Sequence, residues 1–159
     1  MAYDTDCMAC IQGKQHKLPF KTGRTRANQL GDLIHMDLAG PMETTSINGK
    51  KYFLIIIDDY SQGIWVKPIA LKTEVVSKVK EFVGKFETGY SAKVCRVMAD
   101  NGMEFVNFDL QSYFKTHSIA FYSSVPYIHE QNGVAERGIR TITEGARAMV
   151  FTSKLPKTL

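Results

Sequence analysis

Three acidic residues in this sequence have a context suited to metal-dependent chemistry: Asp37, Asp100 and Glu136. Asp37 lies within an apolar run, Asp100 directly follows another, and Glu136 begins a long amphipathic segment. Carboxylates gathered at one point repel one another unless cations lie among them. The usual arrangement is two divalent ions roughly 3.5–4 Å apart with oxygen ligands, and its use is in-line phosphoryl transfer. The three acids therefore predict chemistry on phosphodiesters, provided that the fold brings them together.

The alternation of apolar runs and turns predicts an α/β fold in which these acids can meet. The elements follow in the order β-β-β-α-β-α-β-α, with strands at 33–38, 51–57, 63–69, 93–99 and 119–123 and helices after Thr73, at 107–117 and after Gly133. Right-handed crossovers allow the first, fourth and fifth strands to lie parallel, with the hairpin pair extending one side. Pro68 makes the third strand an edge strand. Asp100 lies at the carboxyl end of a central strand, where function gathers in open α/β sheets.

The last predicted helix has one broad apolar face, which we expect to be buried. Its members share a 3.6-residue period and are Val134, Ala135, Ile139, Ile142, Ala146, Met149 and Val150. Glu136 falls at the rim of this face, in line with Arg140, Thr143 and Arg147. Taken alone, Glu136 has a simpler explanation, because an acid in the first turn complements the helix dipole.

Charge and composition narrow the class of protein. The chain has 159 residues, 44% of them hydrophobic, and a net charge of +4, which fits one soluble, intracellular domain with a short appendage. Five Lys or Arg against two acids occur in residues 1–31 and again in residues 132–159. Basic ends fit contact with a polyanion, although a charge of this size is also ordinary for a solvated surface. No signal peptide or membrane-spanning run is present.

Several further residues have two interpretations. Cys7 and Cys10 have the spacing of half a zinc site, but a convincing second half is missing, so metal-free thiols are the alternative. Asp58 and Asp59 could bind metal, although a turn between hairpin strands favours such residues. His35 lies two residues before Asp37 and therefore faces the same side of the strand, where support of the site is favoured over metal ligation.

Four motifs in order resemble the integrase catalytic core of copia-type long-terminal-repeat retrotransposons. They are HMDLAGP around Asp37, IIDDYSQ at Ile56–Gln62, ADNGMEF around Asp100, and YIHEQNGVAERGIRTITEGARAMV around Glu136. The 35 residues between Asp100 and Glu136 match the D,D-35-E spacing shared with retroviral integrases. The resemblance covers roughly residues 7–159 and implies a ribonuclease H-like fold, a mixed five-stranded sheet flanked by helices.

The resemblance also implies roles for the acids and the cysteines. Asp37, Asp100 and Glu136 would bind two Mg²⁺ or Mn²⁺ ions for 3′-end processing and strand transfer of element DNA. Cys7 and Cys10 would complete a zinc site only if histidines preceding this chain were supplied. Residues 1–30 are then the remnant of an N-terminal zinc-binding domain with a basic linker, and residues 31–159 are the catalytic core.

The expected partner is double-stranded DNA, both element ends and target. The resemblance assigns DNA contacts to Tyr127, Gln131, Asn132, Arg137, Arg140 and Arg147. It also implies a homo-oligomer, no membrane partner and a nuclear location. Two departures from the family pattern are Met103 and the pair Ile128-His129. The alternative is a catalytically silent nucleic-acid-binding or assembly module; a nuclease for RNA–DNA hybrids fits the D,D-35-E spacing poorly.

Overall fold

A computed structural model of the protein describes residues 26–123 and 133–153. Within these residues the elements follow the predicted order. They are β1 (Ile34–Ala39), β2 (Tyr52–Asp58), β3 (Ile64–Ile69), α1 (Glu74–Tyr90), β4 (Arg96–Ala99), α2 (Phe108–Thr116), β5 (Ala120–Ser123) and α3 (Gly133–Ser153). Strand β4 is shorter than the predicted 93–99 run, because Cys95 N–H donates to Gly31 O outside the strand ladder. No helix among the described residues has the length and hydropathy needed to cross a membrane.

The strands form one mixed five-stranded sheet in the order β3-β2-β1-β4-β5. Strands β1, β2 and β3 pair antiparallel, whereas β4 lies parallel to both β1 and β5. The predicted placement of β3 at an edge is confirmed, and Pro68 lies within it. The parallel pairing of β1 with β4 brings the carboxyl ends of these two strands to the same edge of the sheet.

Helices cover both faces of the sheet, which explains why β2 is apolar at nearly every position. Leu54 and Ile56 face one side and join the large core formed with α1 and α2. Ile55 and Ile57 face the other side, where Val134 and Ala135 of α3 pack on them. The sequence prediction that this strand lies in the sheet interior is confirmed.

Helix α3 approaches the sheet closely through Gly138. A Cβ atom at this position would overlap Ile57 Cδ1 and would lie 2.9 Å from Ile55 Cδ1. Both isoleucines are buried, so their side chains have little free space into which to move. The absence of a side chain at residue 138 thus sets how near the first turns of α3 lie to β2.

The prediction that the whole apolar face of α3 is buried was wrong. Val134 and Ala135 are buried and Ile142 is half-buried, but Ala146 is exposed and Met149 is 69% exposed. A 21-residue helix is roughly 30 Å long, whereas β1 and β2 have six and seven residues and span roughly 20 Å. The helix therefore extends past the sheet, and its C-terminal half has no strand beneath it.

Asp58 and Asp59 form the predicted turn and also hold the chain that enters β1. Asp58 Oδ2 accepts a hydrogen bond from Ser61 N–H at 2.7 Å, as expected for a turn between hairpin strands. Asp58 Oδ1 accepts from Gly31 N–H at 2.9 Å, and Asp59 Oδ2 accepts from Ala27 N–H at 2.8 Å. Both side chains are buried. The turn interpretation is confirmed, and the pair has a second, structural role in fastening residues 27–31.

Candidate metal centre

Asp37 in β1 and Asp100, which directly follows β4, lie level with each other at the ends of adjacent parallel strands. The pairing of β1 with β4 matches Ile34 to Val97 and His35 to Met98, so two further residues along each strand bring Asp37 opposite Asp100. Side chains two residues apart point to the same face, and neighbouring strands lie about 4.8 Å apart. Asp100 Oδ1 accepts a hydrogen bond from Gly102 N–H at 3.0 Å, which holds the carboxylate in the turn after β4.

Glu136 reaches this edge from α3. Ile55, on which the start of α3 packs, is the direct partner of Asp37 in the β1–β2 ladder. The first turn of α3 therefore lies over the strand positions next to Asp37. Glu136 is exposed at the rim of the buried part of this helix, as the sequence predicted. Its side chain is free to adopt more than one rotamer, whereas Asp37 is partly enclosed.

The raised pKa of Asp37 indicates that other carboxylates lie close to it. The pKa of Asp37 is raised to about 6, chiefly by burial and in addition by the charges of Asp100, Glu136 and Glu104, while a hydrogen bond from Leu38 N–H at 2.8 Å acts in the opposite direction. Three other carboxylates thus lie near enough to disfavour a negative charge on Asp37. A divalent cation would relieve this repulsion, since carboxylate oxygens are the ligands that Mg²⁺ and Mn²⁺ prefer.

The carboxylates are gathered without converging on a single point. In the described ranges 26–123 and 133–153, no three acidic, histidine or cysteine side chains as they stand form a group able to hold a metal ion. The donor chemistry fits a divalent metal, and the two aspartates come from fixed strand positions. If the three acids were to bind one ion together, a side chain would have to move, and Glu136 is the most exposed of the three.

Glu104 is a fourth acid at this edge that the sequence reasoning missed. Its side chain is 11% exposed, and its Oε1 atom lies 3.1 Å from Lys72 Nζ. The turn between Asp100 and Glu104 closes on itself at Gly102, where an added Cβ would lie 2.9 Å from both Asp100 Oδ1 and Glu104 Cδ. The spacing of two acids four residues apart around a glycine was a signal that could have pointed to it.

His35 supports this region from within the sheet. Its Nε2 atom lies 3.5 Å from Asp59 Oδ1, and both residues are buried. It shares the face of β1 that carries Asp37, as predicted from the two-residue spacing. Its partner at 3.5 Å is the carboxylate that holds Ala27. The contact favours the supporting role over metal ligation.

The predicted DNA-binding residues fall into three groups. Arg140 and Arg147 are exposed on α3 in line with Glu136, one and about three turns further along. Arg137 is exposed on another flank of the helix, where it lines a small pocket with Gln62 and Thr141 near the β2–β3 turn. The other candidate residues lie outside the described part of the chain: Cys7, Cys10, Tyr127, Gln131 and Asn132.

The fold is that of retroviral integrase catalytic cores, and the predicted ribonuclease H-like fold class is confirmed. A chain of the simian T-cell lymphotropic virus intasome in complex with the PP2A regulatory subunit B56 gamma matches 94% of this chain and 52% of its own length, with a TM-score of 0.70 and 16% identity. The HTLV-2 integrase catalytic core domain in complex with magnesium, in a trimeric form, matches 82% of this chain and 80% of its own length, with a TM-score of 0.60 and 16% identity. The catalytic core domain of BIV integrase matches 80% and 76%, with a TM-score of 0.55 and 17% identity.

The sequence relatives are Pol polyproteins of plant retrotransposons. The retrovirus-related Pol polyprotein from transposon TNT 1-94 of Nicotiana tabacum is 38% identical over 95% of this chain, and that from transposon RE2 of Arabidopsis thaliana is 29% identical over 96%. The chain spans about a tenth of the length of these relatives, 11% and 10%. No protein-family model matches it. The chain is homologous to the integrase region of retrotransposon Pol polyproteins, which confirms the resemblance to a retroelement integrase core.

Proposed function

We propose that this chain is the catalytic core of a copia-type retrotransposon integrase, a metal-dependent polynucleotidyl transferase that processes 3′ ends of element DNA and transfers them into target DNA. The observation that carries the proposal is the pairing of β1 with β4, which sets Asp37 level with Asp100, together with the charge of Glu136 acting on Asp37. The 35-residue spacing between Asp100 and Glu136 supports the same assignment.

Asp37, Asp100 and Glu136 are the proposed ligands of two Mg²⁺ or Mn²⁺ ions. When bound, such a pair supplies activation of an attacking oxygen and stabilisation of the leaving oxygen at phosphorus. The two aspartates provide fixed carboxylates at the sheet edge, and Glu136 rotates from the first turn of α3 to meet them. Asp37 must be ionised to take part, and without metal its ionised form predominates only above about pH 6. The magnesium in the HTLV-2 core complex supports this choice of metal.

Double-stranded DNA is the proposed partner, bound across α3 and the segment that precedes it in the sequence. Arg140 and Arg147 follow Glu136 along the exposed side of α3, where phosphates leading to the acids would lie. The remaining proposed contacts are Arg137 and, in the segment before α3, Tyr127, Gln131 and Asn132. A homo-oligomer is part of the same proposal, supported by the intasome and the trimeric core among the structural neighbours. A nuclear location is proposed with it, as the place where the target DNA lies.

The N-terminal residues are proposed as a separate unit. Residues 1–30 would be the end of a zinc-binding domain with a basic linker, and residues 31–159 the catalytic core. Cys7 and Cys10 would bind Zn²⁺ only together with histidines supplied from an upstream segment. A peptide containing both halves should then bind one zinc ion, whereas residues 1–30 alone should bind it weakly.

A strand-transfer assay with duplex oligonucleotides of the element ends, in Mg²⁺ or Mn²⁺, tests the catalytic proposal. The chain should cut near the 3′ end and join that end to target DNA, and chelation with EDTA should stop both reactions. The matched control is Asp100→Asn, which keeps the side-chain shape and removes the charge. Loss of one ligand carboxylate should lower turnover by about a hundred- to a thousandfold, the range for removal of a single preorganised electrostatic group.

A catalytically silent nucleic-acid-binding or assembly module is the second candidate. Its supporting observation is that no three acids among the described residues form a ready metal group. No product from the wild type above the background seen with Asp100→Asn would favour this candidate, as would DNA binding that is unchanged by EDTA and unaccompanied by cleavage.

A further inference from the structure

The connection between β1 and β2 is long and almost wholly exposed. It comprises the twelve residues 40–51, whereas the connection of a β-hairpin usually has about two to five. Every residue from 40 to 49 is exposed, as is Lys51, and Lys50 is half-buried. We refer to residues 40–51 as the β1–β2 arm. Long connections of this kind are where binding function concentrates in a fold.

Hydrogen bonds give the β1–β2 arm a defined, two-stranded shape. Met42 N–H donates to Lys51 O at 2.7 Å, and Ser46 N–H donates to Lys50 O at 3.0 Å. Near the tip, Gly49 N–H donates to Ser46 O at 2.8 Å, and Ser46 Oγ accepts from Lys50 N–H at 3.0 Å. Because the arm is already folded as a hairpin, binding a partner costs it little conformational entropy.

The base of the β1–β2 arm is fixed to the sheet and to α1. Lys51 N–H donates to Ile69 O in β3 at 3.0 Å, and Lys50 Nζ lies 3.5 Å from Glu74 Oε2 at the start of α1. At Gly40, where φ is +123°, an added Cβ would lie 2.8 Å from Lys51 O. These contacts set the direction in which the arm leaves the sheet.

The β1–β2 arm projects from the end of the sheet that carries the acids. It follows directly on Ala39, two residues after Asp37, and Asp100 lies at the same end because β1 and β4 are parallel. A strand rises about 3.3 Å per residue, so a hairpin of this size reaches at most roughly 15 Å beyond Tyr52. A duplex with a phosphodiester at Asp37 and Asp100 would therefore lie within reach of the arm.

The exposed side chains of the β1–β2 arm match the surface of duplex DNA. Lys51 has no ion-pair partner among the carboxylates that the structure describes, and Glu43 is the one acid of the arm. Ile47, near the tip, is 78% exposed. Three hydroxyl groups and one amide are of the types that bind phosphate oxygens. These polar groups belong to Thr44, Thr45, Ser46 and Asn48.

We propose that the β1–β2 arm binds duplex DNA beside the acids, with its tip in the major groove and Lys51 on the phosphate backbone. The inference rests on the proposed function, from which it takes duplex DNA as the partner. The major groove is about 12 Å wide and 8.5 Å deep and admits a two-stranded β-ribbon. An aliphatic side chain such as Ile47 suits contact with a thymine methyl group there. A single exposed isoleucine is ordinary on a protein surface, so the proposal depends on its place near the tip of a fixed arm next to the acids.

Site-specific photocrosslinking tests the position of the tip. Ile47→p-azidophenylalanine, irradiated with a duplex oligonucleotide of the element end, should crosslink to the DNA. The matched control is Tyr90→p-azidophenylalanine, because Tyr90 is 54% exposed and lies at the end of α1 that is far from the arm. The yield at residue 47 should exceed that at residue 90 by at least about fivefold, and single-stranded DNA should crosslink less because it has no groove.

The salt dependence of duplex binding tests the phosphate contact. Lys51→Ala should reduce the slope of log K against log salt concentration by about one unit. Lys93→Ala is the matched control, since Lys93 is also exposed and lies before β4, at the opposite end of the sheet. Urea unfolding of both variants should match the wild type, because both lysine side chains are exposed.

The outcomes separate the arm from the proposed function. Strand transfer by the wild type, with no crosslink at residue 47 above that at residue 90, overturns the inference and leaves the proposed function standing. An unchanged slope in folded Lys51→Ala overturns the phosphate contact. A strong crosslink at residue 47 and the reduced slope, in a chain without metal-dependent activity, support the arm and reject the catalytic proposal. Absence of duplex binding by the wild type rejects both.

Discussion

At Asp37, the position that suits metal binding also makes the ionised carboxylate unfavourable in the metal-free protein. A strand position that is well placed for metal binding is also partly buried and surrounded by other acids, so the ionised form is disfavoured without a cation. The Leu38 N–H that donates to Asp37 Oδ1 compensates only in part. In the metal-free protein this residue is therefore expected to lower stability at neutral pH and to be available for metal binding there.

Asp37→Asn should stabilise the metal-free protein at pH 7.5 by about 1–2 kcal/mol, a value reduced for partial solvent exposure. The folded-state pKa of about 6 lies above the ordinary 3.8, so the folded state binds more protons between these values, and wild-type stability falls as the pH rises through this window. Below about pH 4 the two proteins should converge. Urea unfolding in EDTA across pH 4–8 measures both trends.

The control for this prediction is Asp109→Asn, which changes an exposed acid in the first turn of α2. That variant should lose a few tenths of a kcal/mol through the helix dipole and should show no gain at neutral pH. Added Mn²⁺ should stabilise the wild type and reverse its order with Asp37→Asn. A stability loss for Asp37→Asn at pH 7.5 in EDTA would mean that the acids do not act on one another.

The sequence predicted Asp37 and Asp100 as neighbours but missed Glu104. The two aspartates follow from strand order, since parallel strands with a right-handed crossover bring their ends to one edge. The position of Glu104 depends on how tightly the turn folds at Gly102 and on a contact with Lys72, 32 positions away. Neither the closeness of a turn nor a long-range ion pair leaves a periodic pattern in the sequence.

Helix α3 is the element that brings Glu136 to the two strands, and Gly138 controls its distance from the sheet. The helix packs on Ile55 and Ile57, which pair with Asp37 and His35 across β1 and β2. Any change that lifts the helix from these isoleucines also moves Glu136 away from Asp37. The packing of a glycine against a strand and the geometry of the acids are therefore coupled.

Gly138→Ala and Gly145→Ala make a matched pair on this helix. Alanine gains about 0.5–1 kcal/mol over glycine in a helix interior, and at Gly145 nothing lies within 4 Å of the new Cβ. At Gly138 the same gain is opposed by overpacking against Ile57 and Ile55, typically about 1–3 kcal/mol. Gly145→Ala should thus be more stable than Gly138→Ala by about 1–3 kcal/mol in urea unfolding.

Relief of the overlap provides a second check at the same scale. Ile57→Val removes the Cδ1 atom that the new methyl group would meet, so it should recover part of the stability lost in Gly138→Ala. Equal gains from alanine at residues 138 and 145 would mean that the isoleucines yield without cost, and that the glycine does not set the spacing of α3.

Patterns of hydrophobicity predicted the positions of the helices and strands better than they predicted how much of each one is buried. The continuous apolar run of β2 indicated burial on both faces, and both faces are covered. The apolar stripe of α3 also indicated burial, yet Met149 is 69% exposed. A helical period reports which side of a helix is apolar, while the length of the supporting sheet is set by other segments of the chain.

Positive charge is distributed unevenly over the molecule, and the basic residues of α3 are the ones that lie in line with Glu136. The net charge of +4 is modest, and the segment from residue 132 to the end has five basic residues against two acids. Exposed arginines in line with Glu136 would act as a stripe on which a DNA backbone could lie beside the carboxylates.

Arg140→Ala should weaken binding of duplex DNA and reduce the slope of log K against log salt concentration by about one unit. Lys85→Ala is the matched control, because Lys85 lies on α1 and pairs with Glu81 at 2.7 Å. Fluorescence anisotropy between 50 and 200 mM salt, roughly the range in which phosphate contacts change affinity most, measures both slopes. An unchanged slope for Arg140→Ala would remove this residue from the DNA surface.

The fastening of residues 27–31 by Asp58 and Asp59 has a mechanical consequence. A tension applied to the chain ahead of Ala27 passes into the β2–β3 turn through the Ala27 and Gly31 amides before it reaches β1. The strand that carries Asp37 is thereby shielded from motions of whatever the chain is tethered to.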